Sequence, residues 1–159
     1  AFKEAGNKVY MIMGARNKDL IFWQDKMKTA CDELFITTDD GSLGEKGFVT
    51  GVLERLMNQE PINYAIAVGP MPMMRAVANM TKDKGIKTEA SMNPIMVDGS
   101  GMCGACRCEI EGKPKFACID GPEFDGHKVN YDLAMKRMNI YKEEEKEKWE
   151  QMKKSLGRD

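Results

Sequence analysis

The sequence predicts an α/β fold, in which an open parallel sheet with intervening helices precedes a small cysteine-rich module and a terminal helix. Short apolar runs alternate with helical stretches up to about residue 95. Beyond it, four of the five cysteines crowd into residues 103–118, and the end of the chain alternates positive and negative charge. We therefore expect one domain over residues 1–95 and a second module over residues 96–159.

Four apolar segments bounded by turn residues are predicted strands: 9–14, 34–38, 64–68 and 87–92. Helices are predicted between them, over about 19–30, 50–58 and 69–84. In the first of these helices we expect Leu20, Phe22 and Trp23 to face the core. Strands that alternate with helices form βαβ units, and βαβ units build a parallel sheet.

The module from residue 96 onward has a different character. Residues 107–118 predict a small hairpin with its turn at 111–113, and residues 131–155 predict one long, mostly solvated helix. The single histidine, His127, lies in a polar stretch and is expected at the surface. No hydrolase motif surrounds it.

Composition narrows the classes of function. Hydrophobic residues make up 42% of the chain and charged residues 31%, as in ordinary globular proteins. The formal net charge of −1 offers no electrostatic attraction for nucleic acid or anionic membrane. Clustered cysteines indicate metal binding in a reducing compartment rather than a disulfide framework, so we expect a cytoplasmic protein.

The most informative pattern is D-x4-C-x2-C, formed by Asp98, Cys103 and Cys106, with Cys118 a short distance further on. If Asp98 were cysteine, the spacing would be the plant-type spacing of a [2Fe–2S] cluster. Small residues fill the loop, and glycine allows a backbone to approach a cluster closely. We therefore predict a [2Fe–2S] cluster and electron transfer.

Two alternatives remain open for this site. A zinc ion held by Cys103, Cys106, Cys108 and Cys118 would make the protein a non-catalytic interaction module on an α/β scaffold. We favour iron–sulfur, because the loop before Cys103 is long and rich in glycine. Within that interpretation the fourth ligand is Asp98 or Cys108, and the spacing favours Asp98.

Three predicted strand ends carry glycine or polar residues, and ligands of open α/β sheets bind at the carboxyl ends of strands. A helix that starts there offers free N–H groups to a phosphate or a dinucleotide. The candidate cofactor-binding residues are Gly14, Arg16, Thr38, Asp39, Asp40, Gly41, Ser42, Gly69, Pro70 and Met71. The acidic pair in this set favours NADH over NADPH, whereas Arg16 and Lys46 argue for NADPH.

Together these motifs resemble a known family. Residues 14–16, 38–50 and 67–74 are similar to the pyridine-nucleotide domain of the ferredoxin–NADP reductase superfamily. The cysteine loop and residues 118–126 resemble the cluster module of the dihydroorotate dehydrogenase electron-transfer subunit. The small, NADH-binding subunits of NADH-dependent ferredoxin:NADP oxidoreductase, also called sulfide dehydrogenase, are more similar still.

The resemblance implies an iron–sulfur flavoprotein oxidoreductase subunit of the cytoplasm. NADH or NADPH would donate hydride to FAD, and electrons would leave through the [2Fe–2S] cluster to a larger partner subunit. The ligand role transfers to Cys103, Cys106 and Cys118 by direct match and to Asp98 by position. We also expect a C-terminal fragment that lacks the flavin domain and the first strand of the nucleotide domain, so FAD binding and activity would need the full-length subunit.

Overall fold

A computed structural model describes residues 1–157, which form two compact units, Ala1–Ile62 and the residues from Asn63 onward. Both units mix helices with parallel strand pairs, so the predicted α/β class is confirmed. The predicted boundary between residues 95 and 96 stays a prediction. Within residues 1–157, no helix combines the length and the apolar character needed to cross a membrane.

The first unit is a three-stranded parallel sheet with two helices. Its elements are β1 (Tyr10–Ala15), α1 (Gln24–Ala30), β2 (Glu33–Thr38), β3 (Glu45–Lys46) and α2 (Val49–Gln59). β2 lies between β1 and β3. Val52, Leu53 and Leu56 share the buried face of α2, which packs on β1 and β2. A Cβ on Gly14 would lie 2.5 Å from Cγ1 of Val49, so glycine is needed where the start of α2 meets β1.

The second unit contains two sheets. Its elements are β4 (Tyr64–Val68), α3 (Met71–Asp83), β5 (Lys87–Ser91), β6 (Arg107–Ile110), β7 (Lys113–Phe116), α4 (Ala117–Asp120), β8 (Glu123–Asp125), α5 (Tyr131–Met138) and α6 (Lys142–Ser155). β5 pairs in parallel with β4 and antiparallel with β8, and β6 and β7 form the predicted hairpin. α3 buries Met71, Met74, Val77 and Ala78 on one face, as a period of 3.6 residues requires.

Two predicted helices differ from the structure. α1 begins at Gln24 instead of Asp19, because Trp23 adopts a left-handed backbone with φ of 54° and cannot continue a helix. Leu20, Phe22 and Trp23 are all exposed instead of buried. The long C-terminal helix is two helices, α5 and α6, separated by residues 139–141.

A buried polar network joins α3, β5 and the short 3-10 turn Gly126–Lys128. The hydroxyl of Thr81 donates to the carbonyl of Val77 (2.9 Å), accepts from the hydroxyl of Thr88 (2.7 Å) and lies 3.1 Å from Nε2 of His127. One hydroxyl oxygen thus links the backbone of α3 to Thr88 on β5 and to the ring of His127. The His127 side chain is only 20% exposed, so the expected surface position is wrong.

Replacing Thr81 by valine, which has the same shape, is expected to lower the free energy of unfolding by about 1–3 kcal/mol. The substitution leaves Nε2 of His127 without its hydroxyl partner, while the Thr88 hydroxyl retains the carbonyl of Ile86 (3.0 Å) as its acceptor. Thr29→Val is the matched control, because that hydroxyl donates to the carbonyl of Lys26 on an exposed surface. Urea titration measures both variants, and equal effects would contradict the network's role.

Candidate metal centre

The loop before β6 is folded around the carboxylate of Asp98. Its Oδ1 accepts the backbone N–H of Ser100 (2.8 Å) and its Oδ2 accepts that of Cys103 (3.0 Å). These hydrogen bonds, that of Ser100 first, hold the pKa of Asp98 below its usual value. Gly99, Gly101 and Gly104 all have φ between 67° and 84°, where other residues are strained. Glycine is thus needed at these three positions, because the backbone of the loop takes a conformation there that other residues rarely adopt.

Two of the predicted ligands meet directly. The sulfur atoms of Cys106 and Cys118 lie 3.2 Å apart and share a hydrogen bond. Burial by itself raises the pKa of the Cys106 thiol, but hydrogen bonds from the backbone N–H and the thiol of Cys118 outweigh it and lower that pKa. The same thiol contact raises the pKa of Cys118. The contact between the two sulfurs thus favours the thiolate form of Cys106, and thiolate is the form of cysteine that binds metals.

Cys118 lies in the short helix α4, which directly follows β7 and is held by hydrogen bonds at both of its ends. Oδ2 of Asp120 accepts the N–H of Phe116 (2.7 Å), and Nζ of Lys115 lies 3.3 Å from its Oδ1. The N–H of Ala117 bonds to the carbonyl of Cys106 (3.1 Å). This hydrogen bond joins the end of β7 to Cys106, the residue whose sulfur lies against that of Cys118.

Cys103 and Cys108 have opposite environments. Cys103 is exposed, and its sulfur accepts the N–H of Ala105 (3.4 Å), a type of hydrogen bond that tunes iron–sulfur clusters. Cys108 is buried in β6, donates to the carbonyl of Lys115 (3.6 Å), and has its pKa raised by burial to about 11. Cys103 is thus available as a ligand, whereas Cys108 is held as a neutral thiol.

The donors suit an iron–sulfur cluster. Two soft sulfurs converge at Cys106 and Cys118, a third sulfur is exposed in the same loop, and the Asp98 carboxylate retains lone pairs beyond the two N–H groups it accepts. Among residues 1–157, no three His, Cys, Asp or Glu side chains stand close enough together to hold a single metal ion. The assignment of Asp98, Cys103, Cys106 and Cys118 as ligands stays a prediction.

In the first unit, the predicted nucleotide residues gather at the carboxyl ends of β1 and β2. Asp39 and Asp40 donate their N–H groups to the carbonyls of Ala15 and Arg16 (3.1 and 3.3 Å). The hydroxyl of Thr38 closes the turn by donating to the carbonyl of Leu43 (2.8 Å). Gly14, Arg16 and residues 38–42 are therefore brought together, and their role in binding a nucleotide stays a prediction.

The two aspartates of this turn differ. Oδ1 of Asp40 accepts both the hydroxyl and the N–H of Ser42 (2.6 and 2.9 Å), and these bonds lower the pKa of Asp40. The hydroxyl of Ser42 in turn accepts the N–H of Lys18 (2.8 Å). Within residues 1–157 the carboxylate of Asp39 has no hydrogen-bond partner. Asp40 thus shapes the turn, and Asp39 is the carboxylate free to meet a ligand.

In the second unit, β4 ends at the Gly69–Pro70 turn that starts α3. Gly69 has φ of 152°, and its carbonyl accepts Nδ2 of Asn93 (3.4 Å). Pro70 caps α3 without a side-chain hydrogen bond, which leaves the first N–H groups of the helix available. The side chain of Met71 is buried, so only its backbone is placed to contact a ligand.

The sequence did not indicate one residue that lies beside the loop of residues 98–106, which carries three of the four predicted ligands and is called the ligand loop below. Nη2 of Arg137, on α5, donates to the carbonyl of Ala105 (3.3 Å), between Cys103 and Cys106. No spacing rule could have found it, because the contact joins residues 32 positions apart.

Comparisons with known proteins agree with this geometry. Residues 93–130, which include all four predicted ligands, match the iron–sulfur cluster binding domain of dihydroorotate dehydrogenase B. The chain is 52% identical over 144 residues to a Clostridium beijerinckii protein described as an uncharacterized protein in the adh 3′ region, covering 89% of this chain and 49% of that one. It is 45% identical over 157 residues to the dihydroorotate dehydrogenase B (NAD(+)) electron transfer subunit homolog of Thermotoga maritima, covering 99% and 55%.

A solved structure is similar as well. A chain of the NADH-dependent reduced ferredoxin-NADP oxidoreductase, determined for insights into flavin-based electron bifurcation, superposes with a TM-score of 0.83 at 44% identity. The match covers 94% of this chain and 54% of that chain. The chain thus spans about half the length of the relatives it matches.

In fold and in its cysteine segment the chain is similar to oxidoreductase electron-transfer subunits, and residues 93–130 match an iron–sulfur cluster binding domain. More narrowly, its relatives are the dihydroorotate dehydrogenase B electron-transfer subunits and the NADH-dependent reduced ferredoxin-NADP oxidoreductase. The family resemblance expected from the sequence is therefore confirmed.

Proposed function

We propose that the chain is the cluster-bearing part of an electron-transfer subunit, in which electrons from NADH or NADPH pass by way of FAD and a [2Fe–2S] cluster to a larger partner subunit. The observation that carries this proposal is the approach of the Cys106 and Cys118 sulfurs to 3.2 Å, within the segment that matches an iron–sulfur domain. When bound, such a cluster accepts and releases single electrons.

The proposed ligands are Asp98, Cys103, Cys106 and Cys118. The contact between the sulfurs of Cys106 and Cys118 supports these two residues as neighbouring ligands. The hydrogen bond from the N–H of Cys103 to the carboxylate of Asp98 supports Asp98 and Cys103 as the other neighbouring ligands. The N–H of Ala105 would stabilise negative charge on the Cys103 sulfur. Cys108, a buried thiol with a raised pKa, is the weaker candidate.

In the first unit, the residues proposed to bind a nucleotide, at its adenosine part, are Gly14, Arg16, Thr38, Asp39, Asp40, Gly41 and Ser42. In the second unit, taken by itself, Gly69, Pro70 and the backbone of Met71 are proposed to contact a nicotinamide. The uncommitted carboxylate of Asp39 supports NADH, because it would repel the 2′-phosphate of NADPH. The NADH dependence of the oxidoreductase in the matched structure supports the same choice.

A partner subunit is proposed from the surface beside the ligand loop. Val97, Met102 and Ile119 are exposed there, Met102 by 89%. Ile119 also lies against Gly101, so these apolar side chains adjoin the loop. Exposed apolar surface of this kind marks protein–protein contact, and contact at the loop would shorten the electron-transfer distance.

Metal and sulfide analysis of the anaerobically reconstituted chain tests the proposal. We expect about two irons and two acid-labile sulfides per chain and a brown colour, as for any [2Fe–2S] protein. One zinc per chain with no visible absorbance would overturn the proposal and support the zinc-binding interaction module instead.

A further inference from the structure

Two guanidinium groups lie against the loop of residues 98–106: that of Arg107 beside Gly104 and that of Arg137 beside Ala105. Nη2 of Arg137 donates to the carbonyl of Ala105 at 3.3 Å, and the N–H of Ala105 donates to the sulfur of Cys103 at 3.4 Å. The carbonyl of Ala105 and the nitrogen of Cys106 belong to one planar peptide group. A hydrogen bond to this carbonyl therefore fixes the plane from which Cys106 projects, while the same residue contacts Cys103.

Arg137 extends from a firmly anchored helix. Tyr131 and Ala134 of α5 are buried. Asn130 caps the helix through Oδ1, which accepts the N–H of Leu133 (3.0 Å), and its Nδ2 donates to Oε1 of Glu109 (2.7 Å) on β6. The backbone N–H of Asn130 donates to the carbonyl of Glu109 (2.9 Å). Because β6 begins directly after Cys106, α5 and the ligand loop share one rigid support.

The surroundings of the guanidinium are mostly apolar. Arg137 lines a groove of about 170 Å³ together with Pro94, Ile95, Val97, Arg107, Cys108 and Tyr141. Arg107 is the other cation of this lining, and its side chain lies over the ring of Phe116. A positive charge in such a setting acts more strongly on nearby anions than one in open water.

We propose that Arg137 is the positioning residue of the ligand loop. It fixes the Ala105–Cys106 peptide and places a permanent positive charge beside the loop that carries the proposed cysteine ligands. The charge part of the proposal rests on the proposed cluster: the extra negative charge of a reduced cluster is stabilised by a neighbouring cation, so Arg137 raises the reduction potential. The positioning part concerns the chain alone.

Arg137→Gln, Arg137→Lys and the control Lys136→Gln test both parts. Lys136 is the exposed neighbour on the same helix, so its substitution removes the same charge without touching the loop. In the metal-free chain, hydrogen–deuterium exchange over residues 103–107 is expected to rise about tenfold in Arg137→Gln, the factor expected for losing one hydrogen bond from a charged donor. In Lys136→Gln it should be unchanged.

In the reconstituted chain, a redox titration is expected to give a more negative midpoint potential for Arg137→Gln. The potential of Arg137→Lys should stay close to that of the unchanged chain, because lysine keeps the positive charge. Its exchange rate should lie between those of Arg137→Gln and Lys136→Gln, because lysine lacks the planar fork of donors. Unchanged exchange in Arg137→Gln would overturn the positioning role, and an unchanged potential would overturn the charge role. If Arg137→Gln does not fold, exchange in Arg137→Lys decides. Failure to take up iron would refute the proposed function while leaving the exchange experiment valid.

Discussion

Replacing Cys106 by alanine is expected to abolish cluster assembly. Its sulfur lies 3.2 Å from that of Cys118, so the substitution removes one of two donors that meet at a single point. A methyl group cannot replace a thiolate ligand. The loss of an outer-shell partner already costs about 10–100-fold in metal affinity, and we expect the loss of this ligand to cost more. Iron, acid-labile sulfide and visible absorbance after reconstitution measure the effect.

Cys31→Ala is the matched control for this prediction. Cys31 and Cys106 have the same 2% exposure, but the Cys31 thiol only donates to the carbonyl of Met27 within the first unit. We expect Cys31→Ala to keep its iron and sulfide. If Cys106→Ala kept them too, Cys106 would not be a ligand, unless Cys108 had taken its place. The double variant Cys106→Ala with Cys108→Ala separates these two cases.

Asp98→Ala is expected to lose the cluster as well, whereas Cys108→Ser should leave its spectrum intact. The carboxylate of Asp98 is exposed and keeps free lone pairs, while Cys108 is a buried neutral thiol directed at the carbonyl of Lys115. Reconstitution followed by absorption and circular dichroism spectroscopy measures both. The reverse pattern would transfer the fourth ligand position to Cys108.

Asp98→Cys distinguishes a ligand from a residue that merely holds the loop. Cysteine can bind iron but cannot accept the N–H groups of Ser100 and Cys103 as the carboxylate does. If Asp98 is a ligand, this variant keeps the cluster with an altered spectrum and an altered potential, because a thiolate replaces an oxygen donor of equal charge. If it loses the cluster, as Asp98→Ala does, Asp98 acts through the loop alone.

The sequence predicted four of the strands that pair in parallel, because each of them carries its own local signal. β4 was predicted with its observed bounds, and β1, β2 and β5 lie within a residue of theirs. Each of these strands is a short run ended by turn residues, so local chemistry determines it. β8 has three residues and exists because it pairs with β5, and no local pattern indicates it.

The two helix errors have different settings. Leu20, Phe22 and Trp23 fit a helical pattern, but Trp23 takes a left-handed conformation and its ring packs edge-on against that of Phe22 at 5.5 Å. At the other error, α5 ends at Met138, and Met138 and Ile140 line the same groove. Residues two apart on a straight helix do not face one another, so a continuous helix would not place both side chains in it.

In the candidate site, too, some features follow from the sequence and others only from the tertiary structure. Spacing by itself singled out Asp98, Cys103, Cys106 and Cys118, because a loop that wraps a cluster needs its donors at short, fixed intervals. Tertiary structure separated residues that the sequence treats alike: Cys103 is exposed where Cys108 is buried, and Asp39 is uncommitted where Asp40 holds Ser42.

The sequence by itself thus determined the α/β class and the family resemblance, and it predicted the ligand loop, since all three depend on local patterns of side chains. Only the tertiary structure decided that the ring of His127 meets the hydroxyl of Thr81 and that Arg137 donates to the carbonyl of Ala105. Both contacts join residues more than 30 positions apart. Their physical cause is the packing of α3 and α5 against the strands, which brings a buried hydroxyl to an imidazole and a guanidinium to a loop carbonyl.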